Sequence, residues 1–279
     1  MRDSNPPRNN RRGEASLALL AFTLIACAPA SGPASVATSS STVSSNPALS
    51  ITALATNPSG ALVCIAGGRA HLLENLSTWS ALPSPTSASS AAWREGNWWL
   101  ALPGAGLLYK ATGVPQSVSV AGSPAVLTSR LAFTLGGEVL GYSGALVGRV
   151  GALPSATLET TTTTFALVGR VMYAINQTVE RRQTLEGAVN SLVSRDNDEL
   201  EVLPGLAARA TGFTYRLEGR ELTARDSAER VTARVAIGPT ASKLIASSDW
   251  VAVATGSNLS VYRAPNLSPV LTSSCGGAW

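Results

Sequence analysis

His71 is the only histidine in the chain. No His-His or His-Cys metal spacing can therefore exist, and any nucleophile-imidazole-acid triad would have to use this one ring. It falls in the stretch Arg69 to Glu74, directly after a Gly-Gly pair, where a polar residue on a half-exposed strand is the plain expectation. Other nucleophile signatures are missing. Neither Lys110 nor Lys243 sits in a Ser-x-x-Lys arrangement, and Gly-x-Ser-x-Gly does not occur. The densest acidic group is Asp196, Asp198, Glu199 and Glu201, whose carboxylates could hold Ca²⁺. An EF-hand loop starting at Asp196 would need Gly at its sixth position and Glu at its twelfth, where this chain has Glu201 and Ala207. Asn197-Asp198 reads more simply as a hairpin turn with solvated charges on either side. These patterns imply no cofactor and no catalytic grouping.

Four of the six tryptophans, Trp79, Trp93, Trp98 and Trp99, lie close together. Clustered indoles can stack on a sugar or an aromatic ligand. Residues 97–102, Asn-Trp-Trp-Leu-Ala-Leu, form a continuous apolar run instead, as expected of a strand buried on both faces, so at least one of the Trp98-Trp99 pair belongs to the core. Dispersed carboxylates beside an exposed indole remain the route to an enzyme acting on glycans or other polymers.

The elements that would position these residues are hairpins. Residues 131–142 place an apolar run of strand length on each side of Gly136-Gly137, a two-residue turn signal. The same shape recurs around Gly67-Gly68, Gly104, Gly169, Gly219 and Gly256. A second mark, a proline after a short strand, recurs at Pro83, Pro124, Pro154, Pro204 and Pro239. Together they divide the chain into units over residues 50–83, 84–123, 124–154, 155–204, 205–239 and 240–272. Helix-period segments with caps are missing. In the fourth unit, residues 177–198 form the longest excursion, and charge-rich excursions of that kind tend to carry binding. The Thr160 to Thr164 run is β-favouring and is expected on an exposed strand of the same unit.

Six such units are what an all-β fold with six β-propeller blades requires, with a solenoid or a sandwich as the alternative. Ile65-Ala66-Gly67-Gly68, Asn75 and Thr78-Trp79-Ser80-Ala81-Leu82-Pro83 resemble one kelch repeat, and residues 251–262 resemble a blade of the WD-repeat type. The resemblance is to bacterial propeller repeat proteins and covers blades, without a Trp-Asp or Gly-His motif. It implies no binding residues.

Of 279 residues, 45% are hydrophobic and 14% charged, enough for one large core. The formal net charge is +4, yet 17 basic and 15 acidic side chains follow Cys27, so no basic surface points to nucleic acid. Arginines at positions 2, 8, 11 and 12 precede an apolar run of twelve residues, 15–26. As a helix such a run rises only about 18 Å, short of a bilayer core of roughly 30 Å, and so reads as an export signal over residues 1–26. Gly13-Glu14-Ala15 after Arg11-Arg12 does not fit a twin-arginine signal. Leu24-Ile25-Ala26-Cys27 resembles the lipobox of bacterial lipoproteins. The resemblance implies that Cys27 carries the lipid, and Ala28 in place of aspartate points to the outer membrane, if the organism has one. Residues 27–49 are almost entirely Ala, Ser, Pro, Thr and Gly and read as a flexible tether, leaving 50–272 for the propeller and 273–279 for a tail.

Once Cys27 is lipidated, Cys64 and Cys275 remain. An exported protein meets an oxidising compartment, and a closed ring sets its first and last units side by side, so the two are expected to form a disulfide. The alternative is a buried free thiol at Cys64 and a free one at Cys275 on a Gly-rich tail. The functional expectation is a lipoprotein of the cell envelope, held at the membrane by its lipid, whose propeller is a non-catalytic binding or scaffolding module for an envelope protein. An envelope enzyme and a structural component without ligand are the alternatives.

Overall fold

Short apolar runs separated by glycine turns can satisfy their backbone only by pairing with each other, and the computed structural model shows how they do so. It describes residues 49–194, 200–238 and 240–276. Cys27, the export signal, nearly all of the tether and the acidic residues Asp196, Asp198 and Glu199 lie outside the described residues. At Gly67-Gly68, Ala66 pairs with Arg69 across a two-residue turn, and both glycines have positive φ, +56° and +77°. The two-residue reading of Gly136-Gly137 is corrected. The strands there end at Thr134 and restart at Glu138, and only Gly137 has positive φ. Close backbone packing explains the glycine, because a Cβ on Gly137 would come within 2.4 Å of the Ala152 nitrogen.

Each glycine hairpin is the middle pair of a four-stranded antiparallel sheet in which spatial order follows chain order. The sheets are blade 1 over residues 51–81, blade 2 over 90–119, blade 3 over 124–149, blade 4 over 156–184, blade 5 over 207–236 and blade 6 over 243–274. No α-helix occurs among the described residues; the one helical turn in them is the 3-10 segment Pro103–Ala105. The first strands line the axis. Ile51–Thr56 of blade 1 lies against Ser90–Arg94 of blade 2 and also against Lys243–Ala246 of blade 6, which closes the ring. The protein is a six-bladed β-propeller. Closure separates it from a solenoid, and sheets set around one axis, rather than as a single facing pair, separate it from a sandwich.

The core lies between the blades rather than inside them. Trp98, 1% exposed, packs with blade 1, while Trp99 on the opposite face packs with Tyr142 of blade 3. A further cluster joins blades 6 and 1 around Trp250, Leu62 and Leu73. Others join blades 5 and 6 around Tyr215 and Val253, and blades 3 and 4 around Phe133 and Ile175.

Between blades 4 and 5 the pattern changes. Ser191–Ser194 and Leu200–Leu203 pair only with each other. The first of them lies in the ring of inner strands, touching the inner strands of blades 4 and 5. This half-blade corrects the reading of residues 177–198 as one excursion. Val179–Thr184 is the fourth strand of blade 4, and the segment after it begins a separate sheet. Its outward strand places Glu201 3.5 Å from Arg216 of blade 5. The threonine run is corrected as well. Thr160 to Thr163 form a turn in which the Thr160 N–H bonds to the Thr163 carbonyl at 2.9 Å and the Thr163 N–H to Thr160 Oγ1 at 3.2 Å. Thr164 alone is on a strand, and it is buried. Threonine hydroxyls compete for backbone groups in this way and favour turns over pairing.

Candidate functional site

The turns joining first to second strands crowd one end of the axis. They need residues that tolerate tight backbone, which puts Asn, Ser and Thr at the mouth of the ring. Blade 1 contributes Thr56, Asn57 and Pro58, blade 2 Trp93, blade 3 Ser129, and blades 5 and 6 supply Thr211, Ser247 and Ser248 around a cavity of about 530 Å³. Among the described residues, none lining it has an ionisable side chain. A second groove of about 380 Å³ shares Asn57 and Trp93 with the mouth and runs between blades 1 and 2, with Glu74 as its single carboxylate.

The rim is braced from blade to blade. Asn57 Oδ1 accepts from the Ala61 N–H at 2.8 Å and from Ser59 Oγ at 2.9 Å, so its amide hydrogens are what it can offer a ligand. Glu159 of blade 4 accepts from the Ser129 and Arg130 N–H groups at 2.8 and 3.1 Å. Arg130 in turn donates to the Thr160 carbonyl at 2.7 Å and to that of Thr161. From the other side, Arg94 of blade 2 donates to the Ser129 carbonyl at 3.1 Å, pairs with Glu95 and lies 4.7 Å over the Tyr142 ring. Tyr142 donates to the Thr128 carbonyl at 2.7 Å, and burial pushes its phenol well above the ordinary tyrosine range. The charged groups at the rim therefore fix the blade 3 turn. What the mouth offers a ligand is hydroxyls, an amide and one indole.

The remaining residues singled out in the sequence scatter. Trp98 and Trp99 are both core, Trp93 is half-buried at the mouth, and Trp79 lies at the edge of blade 1. His71 is on the strand Arg69–Glu74, but it is 7% exposed rather than half-exposed. The C-terminal segment covers it: a Cβ on Gly276 would stand 2.6 Å from His71 Nδ1. Desolvation, with Arg69 adding repulsion, lowers the His71 pKa below the ordinary histidine value. Cys64 and Cys275 form a disulfide with their Cα atoms 5.8 Å apart. Among the described residues no three His, Cys, Asp or Glu side chains group as a metal site would need, and no helix is long and apolar enough to cross a membrane. Sequence reasoning missed Asn57, Ser129, Thr211, Ser247 and Ser248 as site residues, because turn composition is the same whether or not a turn faces the axis.

No protein-family model matches the chain, and no curated protein matches it in sequence. Solved structures do resemble it. Sqt1 of Saccharomyces cerevisiae superposes with a TM-score of 0.55 at 14% identity, over 82% of this chain and 86% of that one. Apo AztD from Citrobacter koseri gives 0.51 at 14% identity, over 82% and 86%. PorZ of Porphyromonas gingivalis, an essential bacterial surface component of the type-IX secretion system, gives 0.53 at 12% identity. That match covers 81% of this chain, which spans only 39% of PorZ. Likeness at this identity is likeness of fold.

Proposed function

We propose that this protein is a lipid-anchored lipoprotein of the cell envelope, in the outer membrane of an organism that has one, whose propeller binds an envelope protein at the axial mouth without chemistry. The observation that carries the binding reading is the set of side chains at the mouth: neutral hydrogen-bonding groups around one indole, with the blade 3 turn braced by Glu159 and Arg94. Such groups can orient a partner's backbone and polar side chains, and a preorganised rim lowers the entropy cost of doing so. General acid-base catalysis needs a titratable group within hydrogen-bond reach of substrate, and among the described residues the lining of the mouth has none. The groove beside Trp93 has Glu74 alone, whereas glycoside hydrolysis ordinarily uses two carboxyl groups. The anchoring reading rests on Leu24-Ile25-Ala26-Cys27 after a basic and then an apolar segment.

Two variants test the two halves. Cys27→Ala should leave an unprocessed precursor that no fatty-acid analogue labels, because the thiol that would carry the lipid is gone. A variant that still labels would contradict the anchor. Trp93→Ala, with its fold checked by circular dichroism, should lose whatever protein co-purifies with the wild type from detergent-solubilised envelopes. An unchanged set of co-purifying proteins would contradict the mouth.

A further inference from the structure

At the other end of blade 1, away from the axis, a cleft of about 750 Å³ opens between the Gly67-Gly68 turn, the outer strand Thr78–Ala81 and the connection to blade 2. Its size is within the range of sites that hold small molecules. Three kinds of group converge on it. Among the described residues, Arg69 is the only formally charged side chain of its lining, and no carboxylate is paired with it. Ser80, Ser84, Thr86 and Ser87 bring hydroxyls. Half-buried Trp79 supplies an indole, set edge-on to the His71 ring at 6.5 Å and 85°.

The walls are held by backbone approaches that leave no room for side chains. A Cβ on Gly68 would fall 2.7 Å from the Ser87 side chain, and the Gly68 carbonyl accepts from the Ala88 N–H at 2.8 Å. Gly276 closes on His71, next to the Cys64–Cys275 bridge. Cys64 and His71 are direct cross-strand partners, so the bridge fixes the floor of the cleft as well as the seam.

We propose that this cleft binds the uronic acid unit of an acidic polysaccharide. The apolar face of a pyranose ring suits the indole of Trp79, ring hydroxyls suit the serine and threonine side chains, and a single carboxylate suits the single guanidinium in a charge-assisted, two-pronged contact. A neutral sugar would forgo that contact and leave exposed Arg69 to water. A phosphate dianion carries twice the charge of a carboxylate, and among the described residues the lining has no second cation to match it. The site is independent of the axial mouth, which lies at the opposite end of the strands.

The test is calorimetric titration of the detergent-solubilised full-length protein with tetragalacturonate and with its neutral methyl ester. The wild type should bind the acid at least about fivefold more tightly than the ester, as one partly desolvated charge-assisted contact allows. Arg69→Gln should equalise the two. Trp79→Ala should weaken both; if that variant does not melt cooperatively, Trp79→Phe replaces it and should retain partial binding. Trp93→Ala, at the axial mouth, should change neither affinity. Equal affinity of the wild type for acid and ester, no saturable binding of either, an Arg69→Gln variant that still prefers the acid, or loss of binding in Trp93→Ala would each overturn the assignment.

Discussion

His71 reports on its own burial through pH. Desolvation first, and Arg69 second, hold its folded pKa below the unfolded value near 6.5. The unfolded chain therefore takes up the proton at a higher pH than the folded one. Stability should be level above about pH 6.5 and fall as the pH drops below it. No other histidine complicates the reading. Melting temperatures measured between pH 7.5 and 5 should decline more steeply for the wild type than for His71→Gln, and parallel curves would contradict the burial. A second residue prediction concerns the seam of blades 6 and 1. The indole N–H of Trp250, 2% exposed, donates to the Gly60 carbonyl at 2.9 Å. Trp250→Phe should lower stability in urea unfolding by about 1–3 kcal/mol, the cost of stranding a buried acceptor. A core role for at least one of Trp98 and Trp99 was legible from an unbroken apolar run; both are buried because blades pack on each face of their strand. The burial of His71 was not, because what covers it arrives from Gly276, some 200 residues away.

At the scale of elements, the half-blade is the departure from regularity. Each of blades 1, 2, 3 and 6 shares apolar clusters with both neighbours, whereas the clusters around blades 4 and 5 lie on their sides away from the half-blade. Amide exchange should therefore be faster in Ser191–Ser194 and Leu200–Leu203 than in the first and second strands of the full blades, since local opening follows buried apolar contact. Protection there equal to that of Leu62–Ala66 would contradict this. The six hairpins were legible because their middle strands are buried and their turns need glycine. The half-blade was hidden for two reasons: no proline separates it from blade 4, and Val179–Thr184, exposed along most of its length, carries Glu180, Arg181 and Arg182 instead of a hydrophobic period.

At the scale of the whole molecule, a ring is as strong as its seam. The Cys64–Cys275 bridge spans 211 residues of sequence and joins blade 1 to the segment following blade 6. In the chain-entropy account a loop of that size contributes up to roughly 5 kcal/mol, less whatever strain and residual denatured structure remove. Cys275→Ser should accordingly lower the urea midpoint of the protein purified from envelopes, and dithiothreitol should lower that of the wild type but not of the variant. Two alkylatable thiols in the untreated wild type would contradict the bridge. The closed ring also gathers polar turns at one axial end, the end proposed to meet a partner. The most direct measurement is photo-crosslinking in living cells that express the full-length protein with benzoylphenylalanine at Thr211 or Ser248 of the mouth, or at Thr232 or Val270 on outer strands. Adducts from the mouth positions and none from the outer strands are predicted; adducts only from the outer strands, or from no position, would contradict it.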